Sequence, residues 1–141
     1  MSEENVATVV GVFEAVNARD FPAVMNAYAD DITLAIHADL GVIEVSASGK
    51  QAVGDWFGDW FRQFADDYRF EIEEARGSGD RVFLVATHLG TGRVSGAAVT
   101  QRTAYVYKLH DSKIQTIEVW VDREAALAES GFPEQGDGAG E

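Results

Sequence analysis

Near residue 66 the apolar residues of this chain change from helical to strand spacing, and that change restricts the possible folds more than any other feature. Up to that point they recur at three- and four-residue intervals on one face of a helix: Val53, Trp56, Phe57, Trp60, Phe61 and Phe64. After Asp66 and Asp67, apolar and polar residues alternate with the two-residue period of a strand. Helices followed by a run of strands predict an α+β domain, with the helices against one face of an antiparallel sheet.

Two further helices and a strand are predicted before this point. Apolar residues at helical spacing from Val6 to Val16 predict the first helix. Asp20 is a good N-cap and Pro22 suits a first turn, so a second helix is expected to run to about residue 29. Alternation over residues 32–38 predicts the first strand, and a loop or short hairpin then leads to the third helix.

The second half of the chain is predicted to consist of strands and one terminal helix. The strands cover residues 68–73, 81–89, 95–109 and 113–121, and a hairpin turn at His110-Asp111-Ser112 joins the last two. A short helix is expected over residues 122–130. Residues 1–132 therefore form one domain, and the glycine-rich acidic tail, residues 133–141, is expected to be disordered.

Composition and charge narrow the classes of function. The formal net charge is -13, which argues against binding to nucleic acid or to an anionic membrane. The chain has no cysteine, which excludes disulfides and thiolate chemistry. The N-terminus is acidic where a signal peptide would be basic, and no apolar run reaches the roughly 20 residues of a membrane span, so we expect a cytoplasmic protein.

Short motifs in a fixed order resemble the nuclear-transport-factor-2-like (NTF2-like) superfamily, and within it the SnoaL-like and ketosteroid-isomerase-like proteins. They extend over about residues 5–132 and are Asn17-Ala18-Arg19-Asp20-Phe21, Tyr28-Ala29-Asp30-Asp31, Gly49-Lys50-Gln51-Ala52-Val53, Gly79-Asp80-Arg81-Val82, and Lys113-Ile114 through Trp120-Val121-Asp122-Arg123. The resemblance implies a cone of three N-terminal helices on a strongly curved antiparallel sheet, with an apolar pocket in its mouth. It also implies dimerisation through the outer face of the sheet.

His37 and Asp39 are the first candidates for a general base. They share one face of the first predicted strand, near the end where isomerases of this superfamily place a catalytic aspartate. An ungapped comparison puts that aspartate at Ile36, one residue from His37. The alternative is that His37 lies at a strand edge and Asp39 forms a turn.

Tyr105 is a candidate hydrogen-bond donor. Isomerases of the superfamily form an oxyanion hole from a tyrosine on helix one and a protonated aspartate on a late strand. The corresponding positions here are Val12 and Tyr105, so one donor is missing and a phenol replaces the acid. This difference argues against steroid-type isomerisation, and Tyr105 could equally pack between strands.

Glu118 is the most unusual residue of the last strand, where it alternates with Trp120. If this face lines the pocket, burial raises the pKa of the carboxyl group and suits it to proton transfer; if the other face does, Glu118 is a surface charge. We expect the first arrangement, with Tyr105 within reach across the hairpin. The opposite face would then form an apolar outer strip for a homodimer, from Ile117, Val119 and Val121.

The remaining pocket walls are predicted to be aromatic, although most of these side chains would serve equally well as core: Phe13, Tyr28, Trp56, Trp60, His88 and Trp120. The three histidines lie on separate elements without a short-range ligand motif, so we expect no metal. Nucleotide-binding and nucleophile motifs are missing as well, so we expect no cofactor.

The sequence therefore predicts a pocket for a small apolar or weakly polar molecule. If the protein is an enzyme, we expect cofactor-free acid/base chemistry of the isomerase, cyclase, dehydratase or epoxide hydrolase type. The alternative is a non-catalytic ligand-binding or dimerisation module. Convergence of at least two ionisable groups in the pocket distinguishes the two.

Overall fold

A computed structural model describes residues 2–37 and 43–132. Its helices and strands, in chain order, are α1 (Ser2–Asn17), α2 (Phe21–Ala27), β1 (Tyr28–His37), β2 (Ile43–Ser48), α3 (Lys50–Phe61), β3 (Arg69–Ser78), β4 (Arg81–Thr91), β5 (Ala98–His110), β6 (Lys113–Trp120) and α4 (Arg123–Ser130). Among these residues, no helix is both long enough and apolar enough to cross a membrane. Asp39 and the predicted tail, residues 133–141, lie outside the described residues.

The helix boundaries follow local capping chemistry. The Asp20 carboxylate accepts a hydrogen bond from the backbone N–H of Ala23 and begins α2, as predicted. Asp122 caps α4 in the same way, at the backbone N–H of Ala125. Gly131 follows α4 at φ 72°, a left-handed conformation that glycine adopts without strain.

The six strands form one curved, open sheet in the order β2-β1-β6-β5-β4-β3. All neighbouring strands are antiparallel except β1 and β6, which are parallel. The predicted α+β class is therefore confirmed, with a mixed sheet in place of a purely antiparallel one.

Apolar side chains pack on both faces of the sheet. On the inner face, α1, α2 and α3 bury the larger cluster, which we call the inner core; it includes Val9, Phe13, Ile32, Leu84 and Ile114. On the outer face, α4 and the residues after it cover a smaller group, which we call the outer cluster: Phe83, Val85, Ala104, Val106, Trp120, Ala126, Leu127 and Phe132. The sheet thus has a helical layer on each side.

One extra residue in β6 changes the register of the β5–β6 hairpin. Leu109 pairs with Ile114, but the next pair is Lys108 with Thr116, so Gln115 is left without a partner. After a bulge of this kind, each side chain lies on the opposite face of the sheet from the one it would occupy in a regular hairpin.

The bulge explains why the predicted outer apolar strip is wrong. Beyond Gln115, Ile117 and Val119 point inward and belong to the inner core, where they are 2% and 9% exposed. Only Val121, just after β6, is substantially exposed. The homodimer was inferred from this strip, so it stays a prediction without that support.

Candidate functional site

An aromatic-walled cavity of about 260 Å³ lies between α3 and the inner face of the sheet, and we call it the aromatic cavity. The residues that line it are Ile36, His37, Val45, Trp56, Phe57, Trp60, Phe61, Tyr68, Phe70, His88, Gln101, Thr103, Tyr105, Val119 and Val121. A cavity of this kind, apolar with a few convergent polar groups, is the usual form of a small-molecule site.

Helix α3 forms one wall because its aromatic residues recur at helical spacing. Trp56 and Trp60 are one turn apart, and their rings stack with centroids 5.9 Å apart and an interplanar angle of 7°. Phe57 and Phe61 stack beside them, with centroids 6.2 Å apart. Trp56 and Trp60 both line the aromatic cavity.

Three side chains in this cavity form a hydrogen-bonded relay. The indole N–H of Trp60 donates to the hydroxyl oxygen of Tyr68 at 3.0 Å, and the same oxygen lies 3.2 Å from Nδ1 of His88. Indole is only a donor, so the phenol oxygen accepts from Trp60; with no hydrogen on Nδ1, the phenol donates its own hydrogen to that nitrogen. His88 is then a neutral imidazole with its ring hydrogen on Nε2.

The pKa directions agree with this neutral state. Burial lowers the pKa of His88, and a side-chain hydrogen bond with Gln101, its partner across β5, raises it in part. Burial raises the pKa of Tyr68 to about 12. At neutral pH the imidazole is uncharged and the phenol keeps its proton.

Two more hydroxyl groups line the cavity from β5. Tyr105 and Thr103 are two residues apart on the strand, so both point inward, and both residues are buried. Within the described part of the chain, no hydrogen bond engages either hydroxyl group. Burial raises the pKa of Tyr105 well above its ordinary value, so its phenol stays protonated and serves as a donor.

The expectation that Glu118 faces the cavity is wrong. Glu118 pairs with Val106 of the outer cluster, whereas Tyr105 pairs with Val119. Without the bulge at Gln115, the regular register would have placed Glu118 opposite Tyr105. Glu118 therefore lies on the outer face of the sheet.

Trp120 is also misplaced by the sequence prediction, because it belongs to the outer cluster and does not line the aromatic cavity. His37 lines the edge of the aromatic cavity, but its ring stacks on Trp120 at a centroid distance of 4.2 Å. Neither ring nitrogen of His37 has a hydrogen-bond partner among the described residues. The structure thus separates His37 from the relay.

Phe13 and Tyr28 line a neighbouring apolar cavity of about 40 Å³ instead of the aromatic cavity. Phe13 contacts Tyr105 edge-on at 5.2 Å, so it supports the site from the inner core. Burial raises the pKa of Tyr28 well above its ordinary value.

Sequence reasoning missed Tyr68 and Thr103 as site residues. Tyr68 stands directly after the change from helical to strand spacing, and Thr103 precedes Tyr105 by one strand period. The strand alternation at these positions could be recognised, but the contact of Tyr68 with His88 depends on the pairing of two strands. Across residues 2–37 and 43–132, no cluster of three or more histidine or acidic residues is placed to hold a metal ion.

Comparisons with solved structures agree with this architecture. A nuclear-transport-factor-2-like protein of unknown function from Burkholderia pseudomallei is 25% identical with a TM-score of 0.71, over 91% of this chain and 97% of that one. A Catenulispora acidiphila protein with a ketosteroid isomerase-like fold, in complex with trimethylamine, is 20% identical with a TM-score of 0.69, over 89% and 93%. A Mycobacterium tuberculosis protein in complex with estradiol-17β-hemisuccinate is 17% identical with a TM-score of 0.70, over 84% and 93%.

The family assignment comes from the sequence itself. A search of curated proteins gave no significant match. The profile of the SnoaL-like domain, in contrast, matches residues 9–117, which span α1 through most of β6. The chain belongs to the SnoaL-like domain family.

Proposed function

We propose that this protein binds a small apolar molecule bearing a carbonyl or similar acceptor oxygen in the aromatic cavity, and polarises that oxygen for cofactor-free proton transfer. The observation that carries the proposal is a set of neutral hydrogen-bond donors on an otherwise aromatic wall. These are the phenol of Tyr105 and the hydroxyl of Thr103.

Neutral donors suit this role because they cost less to bury than charges do. When the carbon next to a carbonyl gives its proton to the unpartnered ring nitrogen of His37, which lines the same cavity, negative charge develops on the carbonyl oxygen. Donors held in place around that oxygen stabilise the charge in a site with little water. His88 holds the wall in place beside them, because the Tyr68 hydroxyl occupies Nδ1 and the other ring nitrogen bonds the Gln101 side chain.

The comparisons support the small-molecule part of the proposal. Structures of similar fold contain trimethylamine and estradiol-17β-hemisuccinate, so this fold accommodates organic ligands. The aromatic cavity, at about 260 Å³, is near the lower end of the range of ligand pockets, roughly 300–1,000 Å³, which favours a compact ligand or one end of a larger ligand.

The test uses a small cyclic ketone as probe. Binding is followed by indole fluorescence, because Trp56 and Trp60 line the cavity, and proton transfer by NMR of deuterium exchange at the carbon next to the carbonyl. We expect Tyr105→Phe to slow exchange about tenfold or more, whereas Glu118→Gln on the outer face leaves it unchanged. Exchange at the uncatalysed rate with the wild-type protein would contradict the catalytic part.

A non-catalytic binding protein is the second candidate, and one observation favours it. Among the described residues that line the aromatic cavity there is no carboxylate to take the proton. Fluorescence titration that shows saturable ketone binding without exchange would select this function. In that case Tyr105→Phe weakens binding and changes nothing else.

A further inference from the structure

A second and larger cavity lies between α2 and α3, and we call it the helix groove. Its volume is about 930 Å³, and its apolar floor includes Val24 and Met25 of α2 with Phe57 and Phe61 of α3. Phe21, at the start of α2, also lines the groove; it is 41% exposed, and its ring stacks on that of Phe61 with centroids 6.0 Å apart. The groove is therefore an open apolar trough.

The helix groove and the aromatic cavity share a wall. Phe57 and Phe61 line both, and they also line the 40 Å³ cavity that lies between them. Both rings are only half-buried. A change in the side-chain conformation of these two phenyl rings is therefore the movement that would connect the two spaces.

Gly58 of α3 lines the groove, although no neighbouring atom requires a glycine at this position. A Cβ at Gly54 would lie 2.8 Å from the Met25 sulfur, so Gly54 is needed for the contact between α2 and α3. A Cβ at Gly58, in contrast, would meet only the Arg62 side chain, at 3.5 Å, and Gly58 is not in the left-handed region. Glycine is unfavourable inside a helix, and here its effect is to keep the groove wide.

The rim of the groove has an unpaired cation. The Arg19 guanidinium donates to the backbone carbonyls of Val16, Asp66 and Tyr68. Three of its five N–H groups are used in this way, and it forms no ion pair with any described carboxylate. In a chain with a net charge of -13, this exposed cation marks the end of the groove where an anion would be held.

We infer that the helix groove is the second compartment of the same ligand site, and that the ligand is an elongated amphipathic acid. Its uncharged end lies in the aromatic cavity, its apolar body passes Phe57 and Phe61, and its carboxylate lies beside Arg19. This inference rests on the proposed function, because it assigns the other end of the ligand to the aromatic cavity.

The experiment uses straight-chain alkanoic acids of six to fourteen carbons as probes, with calorimetry as readout. We expect affinity to rise at least tenfold from the shortest to the longest acid in the wild-type protein. Gly58→Leu fills the groove and should remove that rise, while Gly58→Ala serves as the folding control and should keep it. The methyl ester of the longest acid should bind at least threefold more weakly than the acid.

Three results would overturn the inference: no alkanoate binding, the same rise with chain length in Gly58→Leu, or equal affinity of ester and acid. The cyclic ketone probe separates these failures from a failure of the proposed function. If the ketone binds and depends on Tyr105 while the alkanoates fail, the aromatic cavity is a site and the groove is not. If the ketone also fails, the proposed function fails as well.

Discussion

Replacing Tyr68 by phenylalanine tests the relay that fixes the state of His88. The substitution keeps the ring, which is 3% exposed, and removes only the hydroxyl group. Two hydrogen bonds disappear, to the Trp60 indole and to Nδ1 of His88. The indole N–H of Trp60 and the Nδ1 atom of His88 then have no other hydrogen-bond partner among the described residues.

The expected loss follows from these two orphaned groups. A buried donor or acceptor left unsatisfied costs about 1–3 kcal/mol, and Trp60 is only half-buried, so water relieves part of its cost. We therefore expect Tyr68→Phe to lower the free energy of unfolding by about 2–3 kcal/mol. Tyr105→Phe is the matched control: it removes a hydroxyl group without a described partner, and we expect a change within about 0.5 kcal/mol.

Urea denaturation followed by far-UV circular dichroism measures both variants without relying on tryptophan emission. Imidazole ¹⁵N chemical shifts report the tautomer directly, and in the wild-type protein they should show hydrogen on Nε2. Equal losses in the two variants, or a wild-type imidazole with hydrogen on Nδ1, would refute the reasoning.

Three further substitutions probe other parts of the structure. Gly90→Ala places a Cβ 3.0 Å from the backbone Cα of Tyr68, so we expect chemical-shift changes at His88 and a lower melting temperature. Phe132→Ala removes a buried ring of the outer cluster, and urea titration should show a loss of about 3–5 kcal/mol. The two hydrogen bonds from Arg123 hold the pKa of Glu74 below its ordinary 4.5, so this pair stabilises the fold above that pH and the stabilisation is lost as pH falls. Glu74→Gln should therefore lose less stability on acidification below pH 4.5, as measured by melting temperature against pH.

Much of the fold was predictable because local chemistry and global packing agree. The aromatic spacing of α3, the Asp20 cap of α2 and the two-residue alternation after Asp67 each point to the observed element. The parallel pairing of β1 with β6 was not predictable in this way, because it joins strands that are far apart in sequence.

The site was predictable only in part. Trp60, His88 and Tyr105 were named from the residues and do line the aromatic cavity. The side of the sheet on which Glu118 lies depends on the alternation of side chains along β6, and the bulged residue Gln115 reverses that alternation. Tyr68 gains its role from the contact with His88 on the neighbouring strand, which no local pattern encodes.

The bulge at Gln115 also determines which side chains of β6 contribute to the wall of the aromatic cavity. Whether Gln115 pairs with β5 or is left out as a bulge decides which residues of β6 face a ligand. If Gln115 instead paired with Lys108, every later residue of β6 would shift by one position and Glu118 would replace Val119 opposite Tyr105 on the inner face. In a hairpin of this kind a change of strand register alters the chemistry of a pocket wall abruptly, whereas substitutions would have to change each position in turn.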